Sequence, residues 1–201
     1  MTVAGLLSAL ASPDPTPGGG TAAAIAGAMG TSLLVMVTGL AKSKSNTDDE
    51  KAALTGARSA LEPIATRLTQ LADADTDAFN AVMAAYRLPK ATDGEKASRS
   101  GAIQEALRAA TVVPLDTLRA CADAIDRGQA VAAHGNRSAS SDVGVAIGLL
   151  KAAADGAAAN VRINLTSLKD ESFKTEAEAE TTRLLSSAAA AADDAMRAVA
   201  N

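Results

Sequence analysis

The chain has 201 residues, a net charge of −4, an apolar fraction of 48% and aromatics at only 1%. That length closes one core without disulfides or metal, and an apolar content led by alanine calls for helices at short spacing: one all-α domain over residues 1–201. An acidic balance without a basic cluster argues against a nucleic-acid partner. The single Cys121 rules out an internal disulfide, and a start without basic and apolar signal regions points to the reducing cytoplasm.

In chain order, Thr2 caps a short helix reaching Ala11, after which Pro13, Pro15 and Pro17 favour extended chain. Residues 18–20, "GGG", turn into a helix from Thr21 to about Lys42, with Thr21 as its cap. This run carries no charge through residue 41 and is long enough to cross a bilayer. Its Ala, Gly, Thr and Ser content, with no Trp or Tyr at either end, predicts a buried core helix instead, and no membrane partner.

Helical spacing continues from about Asp48 to Leu88, with Pro63 predicted to kink or interrupt it. Thr92 and Glu95 have capping-box spacing for the next helix, which meets Pro114 and restarts through Arg127. A turn around "HGNRSASS" leads to a helix capped by Ser140 or Ser141, and a final helix runs to the C-terminus. The prediction is a helical bundle with long, small-residue helices at its centre.

The glycine loop fits a dinucleotide fingerprint only as a bare pattern, because prolines precede it where that mechanism needs a buried strand. Two readings stay open. The glycines either permit tight turning and packing, or expose the N–H groups of a helix N-terminus to a carboxylate, carbonyl or anion. Behind the loop, Ala23, Gly27 and Thr31, beside Ala22, Ala26 and Gly30, form an almost flat face. So long a face predicts a symmetry-related helix as its partner in a homodimer.

Asp75, in "LTQLADADTDAFNAVM", falls out of phase. Asp73 and Asp77 share a polar helical face with Gln70 and Asn80, whereas the neighbours of Asp75 are Leu71, Ala72, Ala78 and Phe79, with Val82 continuing the stripe. A carboxylate there is either a hydrogen-bonded structural group or a tuned acid/base. One His and one Cys leave no ligand supply for zinc, so no metal site is expected. His134, beside Gly135, reads as an ordinary loop histidine. Asp142 either complements a helix dipole or aims into the same cavity as Asp75. Asn160 and Asn164, one turn apart among apolar residues, require hydrogen-bond partners.

Five ordered motifs carry a resemblance: "PTPGGGTAAAIAGAMG", "DADTDAFNAVMAAYRLPK", "AIQEALRAATVVPL", "GNRSASSDVGVAI" and "NVRINL". Together they resemble the cyclodeaminase/cyclohydrolase family of folate enzymes over residues 5–185. The resemblance implies a homodimeric, all-helical enzyme acting on a one-carbon tetrahydrofolate derivative, with no cofactor beyond that substrate. It makes Asp75 the catalytic residue. Gly18, Gly19, Gly20, Asn136, Ser141, Asp142, Asn160 and Asn164 are its candidate substrate-binding residues. Many relatives carry a basic run ending in an aromatic after the first long helix; this chain has "AKSKSN", which makes Lys42 a further candidate beside Lys44.

The family implies two reactions: hydrolysis of 5,10-methenyltetrahydrofolate, and cyclodeamination of 5-formimidoyltetrahydrofolate with release of ammonia. Within these residues no transferase segment supplies a formimidoyl group, which favours the cyclohydrolase. The third reading is a non-catalytic helical dimer acting as a binding subunit, against which Asp75 in its motif stands.

Overall fold

The computed structural model describes residues 2–40 and 46–200. The candidate Lys42, with Lys44, lies outside the described residues. Those described form α1 (Val3–Leu10), α2 (Gly19–Thr38), α3 (Asp48–Tyr86), α4 (Asp93–His134), a 3-10 turn (Arg137–Ala139), α5 (Ser140–Leu165) and α6 (Glu171–Ala200), with no strand among them. The expected all-α bundle is what the chain forms.

Helix starts follow local chemistry. Thr2 accepts from the Gly5 N–H to begin α1, and Thr47 and Thr92 each form a full capping box with Glu50 and Glu95. Two caps differ from expectation. α2 starts at Gly19 on Gly18, so Thr21 is its third residue and its hydroxyl is free for another partner. α5 starts after Ala139 without a side-chain cap, because Asn136 instead accepts from Ser138 N–H at 2.9 Å and caps the 3-10 turn.

Neither proline breaks its helix. Pro63 lies inside the 39 residues of α3 and Pro114 inside the 42 residues of α4. A helical proline removes the donor for the carbonyl four residues earlier, and each site accommodates the loss differently. Ser59 is exposed, so water can reach its carbonyl. The Ala110 carbonyl accepts from Asn164 Nδ2 of α5 at 2.9 Å.

α2 packs between α3 and α5, and α4 contacts α3, α5 and α6. Small residues set these approaches. A Cβ added at Gly27 would stand 2.9 Å from Cys121 Sγ, and one at Gly30 would stand 2.7 Å from the Ala146 carbonyl oxygen. The flat face of α2 is therefore used inside the chain, against α3, α4 and α5. This corrects its expected role as a dimer surface.

The opposite face carries Ile25, Ala28, Met29, Ser32, Leu33 and Met36 beside Thr69, with Met29 and Met36 exposed. α2 has the length and hydropathy of a membrane span, yet Ala24, Thr31, Leu34 and Val37 on its inner face are at most 1% exposed within the bundle.

Candidate active site

A cavity of about 250 Å³ opens between the N-terminus of α2, the C-terminal third of α3, the middle of α4 and the C-terminal third of α5. Its polar wall comprises Gly18, Gly19 and Gly20, Asp75, Asn160 and Asn164; Phe79, Val82 and Leu107 supply much of its apolar wall. Six of the residues singled out in the sequence thus meet in one place from three helices. No Lys, Arg or His is among the described residues that line it.

Asp75 is half buried, while Asp73 and Asp77 are exposed, as helical phase predicts. Its Oδ2 accepts from the Thr21 hydroxyl at 3.0 Å. Beneath it lies Gly20, where an added Cβ would fall 2.6 Å from the carboxyl carbon. Among the described residues no glycine has a positive φ, so the loop glycines are not required by backbone torsion. At Gly20 the requirement is close approach: backbone and carboxylate occupy the space that a side chain would need. Gly19 is roomier, with only Asn160 Nδ2 near a would-be Cβ, at 3.9 Å.

The helix end adds direction. The first backbone bond closing α2 runs from Ala22 N–H to the Gly18 carbonyl, so the Gly19, Gly20 and Thr21 N–H groups precede the helical ladder. They gather partial positive charge next to the Asp75 carboxylate.

Each asparagine spends one of its two amide N–H groups on backbone. Asn160 Nδ2 donates to the Gly156 carbonyl at 2.9 Å and Asn164 Nδ2 to that of Ala110. Carbonyl partners fix which end of each amide is nitrogen. The oxygens remain as acceptors at the cavity wall. With Asp75, they make a wall that complements a cation or a donor-rich ligand end.

Asn136, Ser141 and Asp142 are not brought to this cavity. Asp142 is in the first turn of α5 and Asn160 is 18 residues on, which at 1.5 Å per residue separates them by about 27 Å. Asn136 borders a small cleft with Arg137, Ser140 and Val199 instead. Of the two readings of Asp142, only the helix-dipole one has a structural counterpart within the chain.

His134 ends α4, rather than lying in a turn, with Nδ1 3.7 Å from Glu50 Oε1. Burial pushes the Cys121 thiol up to about 12, so it is no thiolate nucleophile at neutral pH. Among the described residues no group of three or more His, Cys, Asp or Glu could hold a metal ion.

Sequence reasoning missed Thr21 as the partner of Asp75, and Leu107 as part of the wall. Phe79 and Val82 were visible as the stripe four and seven residues beyond Asp75. No sequence signal links α4 to that stripe.

The family model described as formiminotransferase-cyclodeaminase matches residues 2–183. A methenyltetrahydrofolate cyclohydrolase of Methylorubrum extorquens is 44% identical over 189 residues, covering 94% of this chain and 91% of that protein. The formimidoyltransferase-cyclodeaminase of Gallus gallus is 36% identical over 86% of this chain, which spans 32% of that longer protein. The crystal structure of a formiminotetrahydrofolate cyclodeaminase from Thermotoga maritima matches with a TM-score of 0.87 at 28% identity, covering 100% of this chain and 96% of that one. The chain belongs to the formiminotransferase-cyclodeaminase family.

Proposed function

We propose that this chain is a 5,10-methenyltetrahydrofolate cyclohydrolase of the cytoplasm, with Asp75 as its general acid/base. The observation that carries the reading is a single half-buried carboxylate between a glycine-lined helix end and two asparagines, in a cavity that no Lys, Arg or His among the described residues lines. The methenyl carbon belongs to a cationic amidinium, which such a wall complements.

Water adds to that carbon as Asp75 takes its proton, forming a neutral carbinolamine. The bond from carbon to N5 then breaks. Asp75 returns the proton to N5, and the carbinol proton leaves to solvent. The product is the 10-formyl derivative, with one proton released overall. A positioned carboxylate of this kind contributes about a hundred- to ten-thousandfold. The steps call on no group beyond substrate and water.

Cyclodeamination is the second reading, supported by the structural likeness to a cyclodeaminase. N10 attacks the carbon of the protonated formimidoyl group (N5–CH=NH2+), Asp75 takes the N10 proton and passes it to the leaving nitrogen, and ammonia departs as the methenyl cation forms. The greater identity and near-complete mutual coverage with a cyclohydrolase favour the first. Purified protein offered each folate separately decides between them by the methenyl chromophore, which is lost in cyclohydrolysis and gained in cyclodeamination. Turnover of neither overturns both readings.

The same proposal includes a homodimer. The outer face of α2 offers Met29, Met36, Ile25 and Leu33 with no charged residue among them, and a second copy covers it best by presenting the same face about a two-fold axis. Light scattering across dilution reads the mass directly, and a monomer at micromolar concentration contradicts the pairing.

A further inference from the structure

Threonine hydroxyls in this bundle have a habit. Thr31, Thr55, Thr66, Thr69, Thr111, Thr117, Thr175 and Thr181 each donate to the carbonyl four residues earlier in their own helix. Thr21 does not. It is the third residue of α2, where the carbonyl four residues earlier belongs to Pro17, outside the helix. Its hydroxyl crosses to α3 and donates to Asp75 Oδ2 at 3.0 Å, across 54 positions of sequence, while Thr21 itself is only 6% exposed.

A second hydroxyl lies beside that bond. Thr76 Oγ1 stands 3.5 Å from Thr21 Oγ1. An ionised carboxylate only accepts, so the Thr21 proton goes to Asp75, and the Thr21 lone pairs are left facing Thr76. The two carboxylate oxygens are thereby made unequal. Oδ2 accepts from a buried hydroxyl and Oδ1 does not accept from it, while both oxygens sit close against the backbone of buried Gly20.

We propose that Thr21 is a positioning residue: it anchors Oδ2 of Asp75 so that Oδ1 is the oxygen that exchanges the proton with substrate. The proposal rests on the folate reading above and assigns a role to a residue beyond it. Thr21 touches Asp75 and not the reacting atoms, so its effect falls on the chemical step. Misplacing the proton-transfer atom by a fraction of an ångström costs rate while leaving the rest of the cavity wall to bind.

The experiment compares Thr21→Val, which keeps the shape and removes the hydroxyl, with Thr21→Ser, which keeps the hydroxyl. Each is made in wild type and in Asp75→Asn, with turnover of 5,10-methenyltetrahydrofolate corrected for uncatalysed hydrolysis and thermal melting alongside. Thr21→Val is expected to lower kcat by about tenfold or more with KM within about threefold, and Thr21→Ser to stay within about threefold of wild type in both. In the Asp75→Asn background, Thr21→Val should remove nothing further, because the two residues act as one unit.

A Thr21→Val enzyme with wild-type kcat overturns the proposal. So does a loss of equal size in both backgrounds, which marks a packing effect alone. If Thr21→Val fails to fold, Thr21→Ser against Thr21→Ala supplies the same contrast: rescue by serine supports the proposal, and equal loss in both overturns it. Wild type without turnover on either folate overturns the reading on which the proposal rests, and the proposal with it.

Discussion

The two ends of α5 are both polar in sequence, and only one of them opens on a cavity. At the C-terminal third, Asn160 and Asn164 meet Gly20 and Asp75. At the N-terminus, Asp142 and Ser141 begin a helix and Asn136 caps the short turn before it. The difference lies in what surrounds each end. A polar side chain becomes part of a site where neighbouring elements leave room around it, and small residues do that here: Gly18, Gly19 and Gly20 at the start of α2, with Ala78 and Ala110 also in the lining. At the other end, bulkier Val131, Val143 and Val199 and the Arg137 side chain close the space.

This contrast can be broken by substitution. The largest effect belongs to Asp75→Asn, which should keep the fold and much of the binding while lowering kcat by about a hundred- to ten-thousandfold in the methenyl assay. Asp73→Asn and Asp77→Asn, both exposed, should change it little. Equal damage from Asp73→Asn would return Asp75 to a structural role.

Gly20→Ala comes next. Its new methyl group meets the carboxylate, the movable end of a side chain, so Asp75 is expected to shift before the helices do. Turnover should fall about tenfold, the scale of roughly 1.4 kcal/mol in a barrier, with little change in melting temperature. Gly148→Ala, where an added Cβ meets nothing within 4 Å, is the control. Gly27→Ala, against Cys121 and Leu68, should do the reverse and lower stability first, by about 1–3 kcal/mol for overpacking.

Asn164→Leu sharpens the comparison at the asparagine end. It leaves the Ala110 carbonyl, already without its helical donor because of Pro114, with no partner but water. A cost of about 1 kcal/mol in denaturant unfolding is expected, together with weaker substrate binding from the lost acceptor. Unchanged stability would mean that water replaces the amide without loss.

The smallest effects should come from Ser141→Ala and Asp142→Asn, each within about twofold in kcat/KM, with Asp142→Asn costing up to about 1 kcal/mol of helix-end stability. A large loss of activity from either would show that the second copy of a dimer brings this end of α5 to the cavity.

Much of this arrangement was legible beforehand, for reasons that differ by residue. Asp75 stood out because helical phase is a local property, and a carboxylate among Leu71, Ala72 and Phe79 breaks the pattern whatever the tertiary fold. The long helices and the caps at Thr2 and Thr92 were equally local, whereas Thr21, expected as a cap, is not one. The continuity of α3 and α4 was not legible, since whether a proline ends a helix depends on what meets the freed carbonyl. For Pro114 that partner is Asn164, 50 residues away. The flat face of α2 was seen correctly as a close-packing surface, but not whether its neighbour came from the same chain. Phase within a helix says which side is small, and only the fold says what lies against it.

The most direct measurement of where the chemistry occurs is a crystal structure of Asp75→Asn with 5,10-methenyltetrahydrofolate bound. The one-carbon unit should lie within hydrogen-bond reach of residue 75, between Gly20 and Asn160, with its cationic amidinium facing the amide oxygens. A folate seated instead against Asn136 and Ser141, with residue 75 out of reach of the methenyl carbon, would contradict the assignment of Asp75 as the acid/base.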